Sequence, residues 1–190
     1  TLELDRRQRQ MCIRDSESAN LPLVVDPVMV ASSGRSLMAD DALGAYQGRL
    51  LPLATVLTPN LTEALALLGE ASDSTATADE LAERLAVRYG RAALLTGGHH
   101  PVDGVCTDVL FHEGRIERFE APWLDLPSAH GTGCTLSAAI TAGLARGAAL
   151  PECIASAKRF VMQALENAMR WTSESGRELI ALQQCQRVTQ

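Results

Sequence analysis

The sequence has few aromatic residues, since Phe, Trp and Tyr make up 4% of its 190 residues. Proteins that bind single-stranded nucleic acids stack the bases on aromatic side chains, so this scarcity argues against such a surface. Basic residues are not in excess either: Lys and Arg number 17 against 23 Asp and Glu, a net charge of −6. Because a basic patch is the electrostatic footprint of nucleic-acid binding, we predict no nucleic-acid partner.

Long hydrophobic runs and cysteine pairs are also missing. No stretch of about 18 apolar residues predicts a membrane span, and no charged-then-apolar signal peptide opens the chain. The five cysteines are odd in number and widely spaced, without a C-x-x-C pair, and the four histidines lack metal-ligand spacing. We therefore predict free thiols, no zinc site, no membrane partner and a cytoplasmic location.

Short apolar runs alternate with longer helical patterns along most of the chain. This alternation predicts an α/β fold, a mostly parallel sheet with helices on both faces. The turn at residues 112–114 predicts an antiparallel hairpin at the sheet edge. Residues 1–20 are charged and lack an apolar period, so we predict a disordered leader, followed by one domain at 21–175 and a tail at 176–190. The predicted strands are 21–26, 54–58, 92–96, 105–111 and 115–120, and the predicted helices are 40–50, 60–69, 77–89, one after Gly133 and one from Pro151.

Gly131-Thr132-Gly133-Cys134 precedes a predicted helix and is the sharpest local feature. Two glycines allow backbone N–H groups to converge on one point, where the helix dipole adds about half a positive charge. Such a turn suits a phosphate or a developing negative charge, and it would stabilise a thiolate at Cys134. The alternative is a glycine-rich turn that leads into a core helix, with Cys134 as a small apolar residue.

Polar residues also follow two predicted strands. Asn60 and Glu63 have the spacing of a helix capping box, while Asp26 ends the first strand. Capping and turn formation would explain these residues without any ligand. The functional alternative places them where ligands bind in open α/β sheets, with carboxylates that hold Mg²⁺.

The third strand ends in Thr96-Gly97-Gly98, which predicts either a tight turn or a backbone packed close against a nucleotide. Because the carboxyl ends of parallel strands lie at one edge of a sheet, these clusters are expected to converge there. That convergence carries more weight than any single motif.

The region from about Leu21 to Trp171 resembles the hydroxymethylpyrimidine and hydroxymethylpyrimidine phosphate kinases of thiamine biosynthesis, in the ribokinase-like superfamily. The order and spacing of five blocks make the resemblance specific. The blocks are VVDPVMVASSG (24–34), RLLPLATVLTPNLTEA (49–64), LLTGGHH (94–100), TDVLF (107–111) and HGTGCTLSAAI (130–140).

The resemblance implies a three-layer α/β/α sandwich and transfer of the ATP γ-phosphoryl group to a small pyrimidine substrate. It implies that Gly131, Thr132 and Gly133 form an anion hole and that Cys134 is the catalytic base. Asn60 and Glu63 match the motif that organises Mg²⁺ and phosphates, and Asp26 matches an acidic residue near them. Val28 matches a wall of the pyrimidine pocket, whereas Thr96 and Gly98 match a nucleotide-side loop. Lys158 matches a position for which the resemblance implies no role.

The chain departs from the family pattern at several places. Ser32 stands where relatives usually carry Lys. Thr96 stands where they often carry Lys, and Ser128 stands where they commonly carry Asn. The N-terminal third of the family is not matched, so we expect an N-terminally truncated fold. The alternatives are a catalytically incompetent nucleotide-binding fragment and a related vitamin kinase, for hydroxyethylthiazole or pyridoxal. The sequence leaves open whether the chain forms a homodimer and which of the two phosphorylations dominates.

Overall fold

The computed structural model describes residues 21–29, 40–98, 101–126, 131–173, 176 and 178–184. The predicted leader at 1–20 and the departures at Ser32 and Ser128 lie outside the described residues. Strands and helices alternate through the first four elements, as the sequence pattern predicts, and helices or strands then also follow one another directly. In chain order they are Val24–Val25 (β1), Asp40–Ala45 (α1), Val56–Leu57 (β2), Leu61–Leu68 (α2), Ala78–Tyr89 (α3), Ala92–Leu95 (β3), Val105–His112 (β4), Arg115–Pro122 (β5), Thr132–Ala145 (α4), Leu150–Glu166 (α5), Met169–Thr172 (β6) and Glu178–Ala181 (β7).

The first five strands form one mixed sheet in the order β1-β2-β3-β4-β5. β1 and β2 are parallel, β2 and β3 are parallel, and β4 runs antiparallel to β3. The turn between β4 and β5 has positive φ at both Glu113 (51°) and Gly114 (73°), the backbone of a tight primed hairpin turn. The α/β class and the hairpin predicted from the sequence are therefore confirmed.

The chain divides into two compact units, and the first contains the described residues up to Thr96 together with Val109–Glu117. Its core is aliphatic, because the three parallel strands are short apolar runs and α2 and α3 each bury one leucine-lined face. Leu57, Leu67, Leu81 and Leu85 are fully buried there. This core holds the carboxyl ends of β1, β2 and β3 in fixed positions.

Two capping boxes are present in this unit, one of them the predicted box at Asn60. Asn60 caps α2 and Thr77 caps α3 through their side-chain oxygens, and the carboxylate of the glutamate three residues later accepts the N–H of each capping residue. Each helix ends at a glycine in the left-handed region, Gly69 with φ 74° and Gly90 with φ 66°. These local signals explain why the sequence locates both helices well.

The predicted helix over 40–50 is only partly regular. After α1 the chain makes a π-helical turn at Tyr46–Leu50 and a 3-10 turn at Leu51–Leu53. Gly48 weakens the helix and Pro52 cannot continue it, since proline lacks an N–H donor. Tyr46 and Leu50 are nevertheless buried, as the predicted apolar face requires.

The second unit contains Gly97–Asp108 and the described residues from Arg118 onward. Its main packing is between α4 and α5, where Gly143 faces Cys153. The strands β6 and β7 form a separate antiparallel pair that the sequence analysis did not predict. No helix among the described residues is long and apolar enough to cross a bilayer.

Replacement of Gly143 by alanine is expected to destabilise the chain, although alanine is the better helix former. A Cβ at position 143 would lie 2.7 Å from Sγ and 3.1 Å from Cβ of Cys153, so α4 and α5 would have to separate. Overpacking of this kind costs about 1–3 kcal/mol. Chemical denaturation of both variants measures the effect. Gly44→Ala is the matched control, because nothing lies within 4 Å of a Cβ there, and it should be neutral or stabilising. Equal stability of the two variants would contradict the prediction.

Candidate functional site

The first group of predicted site residues lies around the N-terminus of α2. The Asn60 backbone N–H donates to Oε2 of Glu63 (2.9 Å), and the Glu63 N–H donates to Oδ1 of Asn60 (2.9 Å). Both polar residues are thus fixed by local bonds directly after β2. One carboxylate oxygen of Glu63 is used by the cap, and the other has no hydrogen bond within the box.

Thr96 lies beside this cap at the end of β3. It pairs with Asn60 as in a parallel ladder, and its N–H donates to the carbonyl of Pro59 (2.9 Å). The side-chain hydroxyl of Thr96 donates weakly to the same carbonyl (3.4 Å). The structure therefore brings Thr96 and Asn60 together, as the convergence of parallel strand ends predicts.

The pKa values of two carboxylates in this group, those of Asp26 and Glu63, are raised. Burial raises the pKa of Glu63 to about 7, and the negative charge of Asp26 raises it further, against the lowering effect of the hydrogen bond from Asn60. Burial also raises the pKa of Asp26. Asp26 lies directly after β1, and its backbone carbonyl accepts the N–H of Val28 (2.9 Å). The side chain of Val28 is exposed. The folded chain thus holds two carboxylates near each other in a partly dry environment.

This donor set fits a divalent cation. Hard cations such as Mg²⁺ bind carboxylate oxygens, usually one or two from the protein, and fill the other positions with water and substrate phosphates. No group of three or more His, Cys, Asp or Glu residues is placed for a metal ion within the described ranges. Asp26 and Glu63 could therefore hold Mg²⁺ only together with such outside ligands.

The raised pKa of Glu63 predicts a stability that falls as the pH rises from about 4.5 to about 7. In that window the folded chain keeps the Glu63 proton and the unfolded chain loses it, so protons favour folding at the lower end. We expect Glu63→Gln to reduce the change in the free energy of unfolding across this pH window by about 1–2 kcal/mol. This is less than the whole pKa shift would give, because solvent reaches part of the carboxylate. Urea unfolding at pH 5 and pH 8 measures the difference. A parent and a Gln variant with parallel profiles would contradict it.

The second group of predicted residues lies at the N-terminus of α4. Gly131 has φ 90°, a left-handed conformation that glycine adopts without strain. Its carbonyl accepts bonds from the Thr135 N–H (2.9 Å) and the Thr135 hydroxyl (2.7 Å). None of the side chains that the structure describes caps this helix at its N-terminus. Cys134 is exposed in that turn, next to Thr132 and Gly133.

Gly98, predicted on the nucleotide side, follows a tightly held glycine. The Gly97 N–H donates to Oδ1 of Asp108 (2.9 Å), and a Cβ at position 97 would lie 2.0 Å from the Thr107 carbonyl oxygen. Gly98 itself is exposed, and a Cβ there would meet nothing within 4 Å. The turn therefore presents open backbone at Gly98 from a fixed position at Gly97.

Residues 6–178 match the family model described as Phosphomethylpyrimidine kinase. The chain belongs to the phosphomethylpyrimidine kinase family. The match begins at Arg6, within the predicted leader, and the boundary of that leader stays a prediction. All five sequence blocks lie within the matched residues.

Curated members of the phosphomethylpyrimidine kinase family align with most of the chain. The hydroxymethylpyrimidine/phosphomethylpyrimidine kinase of Rhizobium meliloti (strain 1021) is 43% identical over 155 residues, which are 81% of this chain and 58% of the relative. That of Bacillus subtilis (strain 168) is 35% identical over 147 residues, 77% of this chain and 54% of the relative. The chain thus spans little more than half the length of these relatives.

Solved structures share the fold. A Bacillus subtilis pyridoxal kinase in complex with ADP superposes with TM-score 0.75 at 31% identity, covering 91% of this chain and 64% of that protein. A Staphylococcus aureus pyridoxal kinase in complex with AMP-PCP and pyridoxal has TM-score 0.75 at 29% identity, covering 92% and 61%. The phosphomethylpyrimidine kinase of Clostridium difficile 630 has TM-score 0.65 at 29% identity, covering 81% and 62%.

Sequence reasoning missed the partner of Lys158. The Lys158 ammonium lies 2.9 Å from Oδ2 of Asp108 and donates to the carbonyl of Cys106 (3.0 Å). One available signal was that position 158 shares the apolar stripe of α5 with Ile154, where a charge requires a buried counter-charge.

Proposed function

We propose that this protein phosphorylates hydroxymethylpyrimidine, its monophosphate, or both, with ATP as donor. The observation that carries this proposal is family membership over residues 6–178. The curated relatives are named for this pair of substrates, and structural neighbours were solved with ADP or AMP-PCP. The activity of the 190-residue chain itself belongs to the proposal.

The two groups of residues have separate roles in this proposal. At α4, the backbone N–H groups of Gly131, Thr132 and Gly133 neutralise charge that develops on the transferred phosphoryl group. The start of α4 supports this role, because none of the described side chains caps its first turn. Cys134 accepts the proton of the substrate hydroxyl.

At α2, Asp26 and Glu63 would hold Mg²⁺, with Asn60 orienting the Glu63 carboxylate. When bound, the ion would neutralise phosphate charge and help align the triphosphate. The raised pKa of both carboxylates supports this assignment. Burial makes the negative charge of each carboxylate unfavourable, and a bound cation would offset that penalty. Thr96 and Gly98 would contact the nucleotide, and Val28 would contact the pyrimidine through its exposed side chain.

A coupled assay of ADP release tests the proposal. The parent chain is incubated with ATP, Mg²⁺ and each pyrimidine in turn, and the phosphorylated product is identified by mass. Small-molecule turnover by kinases is commonly about 1–100 s⁻¹. Product formation with either pyrimidine supports the proposal. ATP binding without any product would favour the alternative, a catalytically incompetent nucleotide-binding fragment.

Pyridoxal phosphorylation is the second candidate, since two pyridoxal kinases superpose with TM-score 0.75. Hydroxyethylthiazole is a third acceptor that the sequence left open. The same assay with pyridoxal and hydroxyethylthiazole separates them by kcat/KM. We rank the pyrimidines first because the curated relatives at 35–43% identity are pyrimidine kinases.

We also infer that the fold is the three-layer α/β/α sandwich of the ribokinase-like superfamily. Parallel strands that alternate with helices, and the likeness to pyridoxal kinases, support this arrangement. A homodimer and a cytoplasmic location stay predictions, which size-exclusion chromatography with light scattering and cell fractionation would test.

A further inference from the structure

Lys158 is the only lysine in a chain that carries 16 arginines. It is also one of the few charged residues that the fold buries, with 8% of its surface exposed. A charge on the buried face of a helix is costly unless it is paired and hydrogen-bonded. Solubility therefore does not explain why this ammonium is buried.

The partners of Lys158 all lie in the second unit. Its ammonium contacts Oδ2 of Asp108 at 2.9 Å and the carbonyl of Cys106 at 3.0 Å. Asp108 is buried as well, with 5% of its surface exposed. Its other oxygen, Oδ1, accepts the backbone N–H of Gly97 at 2.9 Å. The carboxylate thus links the ammonium on α5 to the turn that follows β3.

Gly97 is held from a second side by β4. A Cβ at this position would lie 2.0 Å from the Thr107 carbonyl oxygen, so the backbone of the turn packs directly on the strand. The neighbouring Gly98 has open space around it. The ion pair and the close packing therefore fix one residue of the turn and leave the next one accessible.

We propose that Lys158 and Asp108 are positioning residues that hold the Gly97–Gly98 turn in the conformation that binds the nucleotide. This inference rests on the proposed function, which places Gly98 on the nucleotide side. The Lys158 ammonium pairs with one oxygen of the buried Asp108 carboxylate, and the other oxygen accepts the Gly97 N–H. A compact ammonium suits this task better than the wider guanidinium of arginine.

Two double variants separate positioning from simple stability. Asp108→Leu with Lys158→Met replaces the buried ion pair by apolar side chains, a change that is often neutral for folding, but it removes the acceptor for Gly97. Asp108→Asn with Lys158→Met also removes both charges, yet it keeps an amide oxygen for the Gly97 N–H. Arg159→Met is the matched control, since Arg159 is the neighbouring cation on α5 and is exposed.

The expected result is a split between the two substrates. KM for ATP rises about tenfold or more in the Leu/Met variant, the cost of one hydrogen bond to a charged group, while KM for the pyrimidine stays unchanged. The Asn/Met variant and Arg159→Met stay within about threefold of the parent, below that single-bond effect. Equal KM values for ATP in the two double variants, or an equal rise for both substrates, would overturn the inference.

Hydrogen exchange of the Gly97 amide tests the same inference without turnover. The amide should be protected in the parent and in the Asn/Met variant and should exchange faster in the Leu/Met variant. Titration with AMP-PCP then measures nucleotide affinity directly. A parent that binds no AMP-PCP overturns the proposed function. A parent that binds it as tightly as the Leu/Met variant overturns only the positioning role.

Discussion

Replacement of Cys134 by alanine is expected to lower kcat by about 10²–10⁴, the usual contribution of a positioned base. Cys134 is exposed in the first turn of α4, directly after Gly133. Alanine removes the thiol that we propose as the base for the acceptor's proton, whereas the backbone N–H groups of the turn remain. KM for ATP should therefore change little, and steady-state kinetics with both substrates measures the split.

Two further variants make the Cys134 result specific. Cys134→Asp places a carboxylate in the same turn and should retain more activity than alanine, because it can still accept a proton. Cys153→Ala removes a buried thiol between α4 and α5, so it should lower stability and leave kcat near the parent value. If Cys134→Ala keeps kcat within about threefold of the parent, far below the general-base range, Cys134 is not the base.

Replacement of Glu63 by glutamine is expected to weaken Mg²⁺ binding by about 10–100-fold, the range seen when a group that supports a metal site is lost. Glutamine keeps an oxygen that can accept the Asn60 N–H, so the cap of α2 remains. It removes the negative charge that a cation would neutralise. The Mg²⁺ concentration for half-maximal activity, measured at saturating ATP, reports the change.

The chain contains a matched control for Glu63 in the second capping box. Glu80 accepts the N–H of Thr77 (2.8 Å) at the start of α3, in the same position of the same motif, but it is exposed. Glu80→Gln therefore shows how much the loss of a capping carboxylate alone changes the Mg²⁺ requirement, and any further change in Glu63→Gln is due to the metal site. If the two variants need the same Mg²⁺ concentration, Glu63 acts only as a capping residue.

The sequence predicted the elements that depend on neighbours within about four residues. The capping box at Asn60 and the hairpin turn at residues 112–114 both depend on local contacts, and both are present. The pairing of β6 with β7 was missed. All four residues of β6 are exposed, so no alternation of buried and exposed positions marks it as a strand.

Sequence patterns by themselves determined the α/β class, the order of strands and helices from β1 to α5, and the family blocks that contain the candidate site residues. They could not decide whether Asn60 and Glu63 only cap a helix, because both roles use the same spacing. The tertiary structure added the burial of Glu63 beside Asp26, which raises the Glu63 pKa, and the contact of Thr96 with Asn60. It also paired Lys158 with Asp108, fifty positions apart. Burial and long-range contacts depend on how the whole chain packs, and no local period or spacing encodes them.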